Sequence, residues 1–556
     1  MRTRNTSLTT DQKALAVNLD KYKYGSIVEI GAGQEVARRF FQVGAAAGTV
    51  AKTMSAYDMA VSDDIYGHVD RYVSRARLLQ MLDKEFTQVV ARLAHLRPKN
   101  TTFFAYAATV TARSFKQKNE CHGWVGIRLQ LHPGAEPSDV IMHVRMLDND
   151  NALQSEALGI LGVNLIHGAF FHHQNPEWVI EGLADGLGSE RIEVDLIHFS
   201  GPYFEEVENR LMNLHLIRSW LTRAVVFNPA GEVVVPGELF YRKPVMVMRG
   251  SFKPVTYVNV DMMRSGLRQF SQLAAVNENE ILSLAEVTMN SLISGDNVDG
   301  ADFLARIDLL ASQGYTVMIS DYVRFFRLRA YLRRYTQKPI GIVLSVRDFA
   351  FLFDEKYYEG LEGGILEAFG KLFPDNTHVY VYPSRPRGGD STALVTLDNV
   401  QVPANLRHLL AHLKDNDKLL AVQPQDEGHL HIDVGDVLAG LRRGRGEWED
   451  DVPEAVAQRI GMPARRLRTE LEEAGTSYRA LWEDTRRHLA EEYLLDPHLT
   501  LNDIAGLLGF SEQSALTRAF RRWQGISPGQ HRTRARAPQD SHACIGSAHR
   551  RRQRAA

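Results

Sequence analysis

Cysteine is nearly missing. Cys121 and Cys544 are the only two in 556 residues, too few for a disulfide framework, and this points to a reducing compartment. Long apolar runs are missing as well. No stretch reaches 18 apolar residues, which excludes an obvious membrane-spanning helix. Residues 1–21 hold no apolar segment of the signal-peptide kind. Together these absences predict a cytoplasmic protein with no membrane partner. Lysine is missing from residue 441 onward, where 20 arginines face 16 acidic residues. The rest of the chain has 45 basic and 51 acidic residues. A mildly acidic body therefore carries a basic end whose cations are all arginine. The whole chain nets only -2, so uniform attraction to polyanions is excluded.

Hydrophobic residues make up 44% and charged residues 24%, enough apolar material for large cores. Between about 22 and 430 the pattern is mixed α/β. Short β-rich runs recur at 102–111, 124–131, 140–147, 192–199 and 245–248. From 301 to 383 strands and helices alternate: helix 301–312, strand 315–320, helix 322–335, strand 340–346, helix 364–373, strand 378–382. This predicts a mixed or parallel sheet with covering helices, in one domain or two. Turn-rich breaks fall at 384–390 and 423–428. The expected organisation is an α/β body over 1–430, an all-α domain over 431–532, and an unpatterned arginine-rich tail over 533–556.

The strongest local signal lies between 452 and 532. Val456, Ala457 and Ile460 form an apolar stripe. Gly461-Met462 makes a turn, and Pro463 suits the first position of the next helix. Leu467 and Leu471 mark that helix's inner face. The plan returns 48 residues later, where Ala505 and Gly509 repeat the spacing of Ala457 and Gly461. Thr500 and Asp503 read as a capping box. Leu501, Ile504, Ala505 and Leu508 form the stripe, Gly509-Phe510 the turn, and Ser511 the next N-cap. Leu516, Phe520 and Trp523 fall on one face of the second helix. A long helix over 478–493 joins the copies. At about 100° per residue, Arg465, Arg466 and Thr469 face away from the first apolar stripe. Ser514, Arg518, Arg521 and Arg522 do the same on the second helix. Arginine can bridge two acceptors on a guanine edge, and small hydroxyls serve several bases or phosphates.

This segment resembles the DNA-binding domain of AraC/XylS-type bacterial transcription regulators. The residues that carry the resemblance are Ala-Gly-Leu-Leu-Gly-Phe-Ser-Glu-Gln-Ser-Ala-Leu at 505–516, Arg-Ala-Phe-Arg-Arg-Trp at 518–523, Gly-Ile-Ser-Pro at 525–528 and Gly-Thr-Ser-Tyr-Arg-Ala-Leu at 475–481. Two positions depart from the family pattern: Pro463 replaces a capping Ser and His531 replaces Tyr. The resemblance implies two helix-turn-helix units on one linker helix, reading successive major-groove segments of double-stranded DNA. It also implies a body that senses a small-molecule effector, and a homodimer. The alternative is an enzyme of unknown chemistry, nucleotide- or S-adenosylmethionine-binding, fused to a regulatory DNA-binding module. The body resembles a bacterial family of uncertain function, from which no residue role is carried over.

Other signals in the body are sparse. Val-Glu-Ile-Gly-Ala-Gly at 28–33 reads as a strand followed by Gly-x-Gly, so Gly31 and Gly33 are candidates for a cofactor loop. The third glycine is missing, since position 36 is Val36, and a lone Gly-x-Gly is more often a plain turn. His167, His172 and His173 cluster around two phenylalanines without the spacing of a metal site. Cys121-His122 has no third partner in the sequence. The strand-end rule points to His198, Ser200, Ser320, Asp321, Ser345 and Arg347.

Overall fold

The computed structural model describes residues 8–113, 120–253, 255–274, 276–294, 297–374, 376–385, 394–432, 483, 486, 487, 489–491, 493, 494, and 499–536 apart from 509 and 511. The chain divides into two compact units, 1–431 and 432–556. The first unit is mixed α/β and holds two large sheets; the second is helical among its described residues.

The first sheet contains β1 (Lys23–Gly31), β2 (Val50–Ala56), β3 (Thr102–Val110), β4 (Cys121–Leu129), β5 (Ser138–Met146) and β6 (Ile192–Ser200). Their spatial order is β2-β1-β3-β4-β5-β6. The first three are parallel; β3 to β6 form an antiparallel meander. Its strands are apolar on both sides because both faces are covered. One face packs on the helices Thr10–Leu19, Glu35–Gln42, Asn151–Phe171 and Pro176–Leu183. The helix Asn151–Phe171 is apolar around most of its circumference and is central to this layer. Gly162 lets it approach closely, since a Cβ there would sit 2.3 Å from Val36. The helices Met59–Tyr66 and Arg75–Leu93 cover the other face, joined by Val233 and Val235 from the second half of the unit.

The second sheet contains β7 (Ala224–Phe227), β8 (Val233–Val234), β9 (Val245–Arg249), β10 (Leu282–Thr288), β13 (Thr316–Ser320), β14 (Ile340–Ser345), β15 (Thr377–Tyr382) and β16 (Leu419–Ala421); β11 (Ile293–Ser294) and β12 (Asn297–Val298) pair only with each other. The order is β16-β15-β14-β9-β10-β13-β7-β8, parallel except for β7, which is antiparallel to both β13 and β8. The alternation read over 301–383 is present, but β13 and β14 are not neighbours. β9 and β10 lie between them. The sequence reading missed β10 because Glu286 interrupts its apolar run. That carboxylate is fully buried, bound by the Arg249 guanidinium and the Ser320 hydroxyl. The helix expected over 322–335 is shorter, Phe325–Arg333. No described helix is long and apolar enough to cross a membrane.

Candidate nucleic-acid interface

The described part of the second unit is built around seven buried residues: Ala490, Leu494, Ile504, Ala505, Leu508, Leu516 and Phe520. The helix Leu501–Leu507 begins at a complete capping box. The Thr500 hydroxyl accepts from the Asp503 amide at 3.2 Å, and the Asp503 carboxylate accepts from the Thr500 amide at 2.8 Å. Two otherwise orphaned amides are satisfied reciprocally. The Asp503 carboxyl is held below its ordinary range, chiefly by the Thr500 hydroxyl that donates to it. After the helix, the Phe510 amide donates to the Ala505 carbonyl at 2.8 Å, which closes the turn. Residues 509 and 511 fall outside the described set, so the turn glycine and the Ser511 cap do too. The residue immediately before the next helix is Glu512, whose side chain makes no cap hydrogen bond.

The helix Gln513–Gln524 carries the second half of the motif. Leu516, Ala519 and Phe520 are buried, and Trp523 packs beside them, 6.4 Å from Phe520 and 6.1 Å from Phe510 between ring centres. Gly525 ends the helix with φ +72°, a left-handed conformation that glycine adopts without steric cost. His531, at the position that departs from the family pattern, sets its ring edge against Phe520 at 5.4 Å. Arg532 ties the last helix down by donating to the carbonyls of Leu494 at 3.1 Å and Leu499 at 2.8 Å.

Ser514, Arg518, Arg521 and Arg522 are all exposed, on the side opposite Leu516 and Phe520. Arg518 has its side chain 73% exposed, with its nearest carboxylate, Glu512, 3.9 Å away. Arg522 is tethered to Glu483 at 3.1 Å. Arg486 has a different role. Its guanidinium lies over the Phe510 ring at 4.6 Å, and burial pushes its pKa down to about 10. Leu489 packs at the edge of the core, while Ala490 and Leu494 sit inside it. Arg465, Arg466 and Thr469 lie outside the described residues.

Residues 456–534 match the helix-turn-helix domain family. The C-terminal region is a helix-turn-helix domain of the AraC type. The HTH-type transcriptional regulator VirS of Mycobacterium tuberculosis is 47% identical over 123 residues, 22% of this chain and 36% of that protein. The ornithine utilization regulator of Pseudomonas aeruginosa is 40% identical over 79 residues, 14% of this chain and 23% of that protein. A DNA-binding transcriptional dual regulator from Escherichia coli K-12, of known crystal structure, aligns with 15% of this chain and 73% of its own at 23% identity and a TM-score of 0.14. The chain thus spans about a third or less of the curated relatives named here.

The other candidates sit in the body. Gly31 ends β1 with φ +86°, and a Cβ there would lie 1.9 Å from the Val110 carbonyl oxygen. Glycine is therefore demanded by backbone packing at this strand end. The helix Glu35–Gln42 follows, and its first amides are already bound. The Glu29 carboxylate accepts from Val36 at 3.2 Å and Ala37 at 3.3 Å. A carboxylate of the chain itself fills the place where a phosphate would lie against such a helix end. A Cβ added at Gly33 would lie 3.3 Å from the same carboxylate. His167 and His172 meet edge to face with ring centres 5.4 Å apart, and His173 bonds the Phe170 carbonyl at 3.0 Å. Ser320 donates to Glu286, Asp321 pairs with Arg223 at 3.1 Å, and Ser345 caps the helix Val346–Phe351. Arg347 donates to the Arg385 carbonyl at 2.6 Å. His122 does find a partner, but it is His143 on the neighbouring strand. The sequence signal for it was the alternation of His143 and Arg145 along β5, which puts both on one face.

Proposed function

We propose that this chain is a sequence-specific, DNA-binding transcription regulator, cytoplasmic and acting as a homodimer. In this reading residues 431–532 form the DNA-binding domain, residues 1–430 the effector-sensing body, and residues 533–556 a basic tail. Two helix-turn-helix units read successive major-groove segments of double-stranded DNA. Ser514, Arg518, Arg521 and Arg522 serve one; Arg465, Arg466 and Thr469 serve the other. The observation that carries the reading is the exposed face of the helix Gln513–Gln524. Three arginines and a serine stand opposite a fully buried phenylalanine, in the unit that matches the helix-turn-helix family. In such motifs the second helix enters the major groove, and side chains on its outer face reach base edges.

Base reading and charge attraction separate experimentally. Full-length protein selects its preferred site from randomised duplexes, and each variant is then measured on that site and on random DNA at several salt concentrations. Arg518→Ala is expected to cost about 1–3 kcal/mol on the selected site and much less on random DNA. An equal loss on both duplexes rejects this face as the reader of sequence.

A further inference from the structure

The body holds a polar cleft at the seam between its two sheets, with a volume of about 660 Å³, within the range of small-molecule sites. Its floor is the antiparallel part of the first sheet. His122 comes from β4, His143 and Arg145 from β5, and Asp195 from β6. Asp195 reaches this place through a β-bulge. His143 pairs with Leu196 and Val144 with Val194, so Asp195 has no register partner. Val194 packs in the core on one face of the sheet and Leu196 in the core on the other, although they are two residues apart. Bulges of this kind re-aim a side chain, and they recur beside functional sites.

The three side chains form a chain of hydrogen bonds from the interior to the cleft. The Asp195 carboxylate meets His143 Nδ1 at 2.6 Å, and His143 Nε2 meets His122 Nδ1 at 3.0 Å. Asp195 is 1% exposed and His143 3%, while His122 opens to the cleft. An ionised carboxylate only accepts, so His143 Nδ1 donates. Where His143 Nε2 accepts from His122 Nδ1–H, His122 Nε2 is left as an acceptor. Burial beside a second histidine pushes the His122 pKa down to about 4, which keeps that ring neutral. Among the described residues nothing bonds His122 Nε2.

Among the described residues the other arginines around the cleft are paired. Arg71 holds Glu238 at 3.2 Å. Arg145 holds Glu193 at 2.6 Å and also bonds Glu120. Among the described residues Arg334 reaches one carboxylate, through the Glu193 oxygen that Arg145 already occupies, at 3.6 Å; it lies 5.7 Å from the centre of the Tyr331 ring, and its side chain is 44% exposed. Among the described residues its guanidinium makes no hydrogen bond. The cleft wall therefore offers one under-paired guanidinium and one imidazole nitrogen that accepts in this tautomer.

We propose that this cleft binds a small hydroxylated anion, whose anionic group is taken by Arg334 and whose hydroxyl donates to His122. Asp195 and His143 are positioning residues: they fix the ring and tautomer of His122. Only the consequence for DNA rests on the reading of the body as a sensor; the binding itself does not.

The test is calorimetric titration of the full-length protein with D-glycerate, L-malate and glycerol 3-phosphate. These share the proposed chemistry and separate carboxylate from phosphate sources. Glycerol and acetate serve as probes lacking the anion or the hydroxyl. At least one of the first three is expected to bind, with glycerol and acetate weaker by about tenfold or more. Arg334→Gln and His122→Phe are each expected to weaken that binding by about tenfold. Both positions are partly exposed, and thermal melts check that the variants fold. Failure of all three anions to bind at about 10 mM overturns the proposal. So does binding unchanged in the folded variants. The titration contains no DNA, so its failure leaves the DNA reading intact, and loss of DNA reading leaves the cleft intact.

Discussion

Arginine does opposite work in the two units. In the body, Arg77 is fully buried, donating to Asp63 at 3.0 Å and to the Gly67 carbonyl at 2.7 Å. Arg306 is 5% exposed and ties the carbonyls of Ser251 and Ser291 together, each at 3.0 Å. In the C-terminal unit, Arg518 and Arg522 project from their helix with side chains 73% and 64% exposed. A buried guanidinium must have partners, because desolvating a charge without them costs several kcal/mol. It is therefore architectural. An exposed row of guanidiniums contributes little to its own fold and remains available to a partner. What separates the two uses is the register of each arginine against its helix's apolar stripe.

The largest test of this contrast is Arg77→Ala. It removes a fully buried side chain from beside the Tyr66 and Tyr72 rings and the donor to the Gly67 carbonyl, while Asp63 keeps the Tyr72 hydroxyl and His68; the expected cost is about 2–5 kcal/mol of stability in urea denaturation. Arg518→Ala should change stability by no more than about 0.5 kcal/mol. Similar values for the two would break the distinction.

Two capping carboxylates sharpen it next. Glu29 binds its helix's amides from within the core, and burial pushes its pKa up to about 7 from an ordinary 4.5. The folded body then holds this proton more tightly than the unfolded chain does. Its stability should fall by about 3 kcal/mol as pH rises from about 4.5 to 7, then level off. Glu29→Gln should remove that slope from the denaturation profile. Asp503 caps from the exposed side, and its pKa is lowered. Its contribution has the opposite sign, present at neutral pH and lost in acid. A body whose stability rises across the same interval in the wild type but not in Glu29→Gln would refute the assignment. In the second unit, Thr500→Ala removes the other half of the box and should cost about 1 kcal/mol.

The sequence made the second unit more legible than the first. A helical stripe, a capping box and outward arginines are local patterns, and Leu516, Phe520 and Thr500 stand where 3.6-residue periodicity puts them. The body's layers depend on long-range pairing. β9 and β10 come between β13 and β14, which no local pattern encodes. Glu286 disguised β10 because the arginine and serine that neutralise it lie on other strands. The His122–His143–Asp195 chain stayed hidden for a similar reason. It spans three strands, and a bulge invisible to strict alternation aims its last member. Gly31 looked like part of a phosphate loop, yet its conformation answers to Val110 and to the carboxylate-capped helix that follows.

The smallest expected effect concerns Arg522, whose exposed ion pair with Glu483 spans 3.1 Å. Exposed pairs contribute about 0.2–1 kcal/mol, so neither Arg522→Ala nor Glu483→Gln should move the denaturation midpoint far. The effect at DNA should differ from that of Arg518, which among the described residues has no carboxylate closer than 3.9 Å. On the proposed reading, a guanidinium held to the flank of the helix by Glu483 would meet a backbone phosphate rather than base edges. Arg522→Ala should therefore weaken selected and random duplexes alike and flatten the dependence of log affinity on log salt by about 0.9, the value for one phosphate contact. Glu483→Gln removes a nearby negative charge and frees Arg522, so binding to both duplexes should tighten slightly. A loss for Arg522→Ala confined to the selected site would place Arg522 among the base readers and erase the division of labour along this helix.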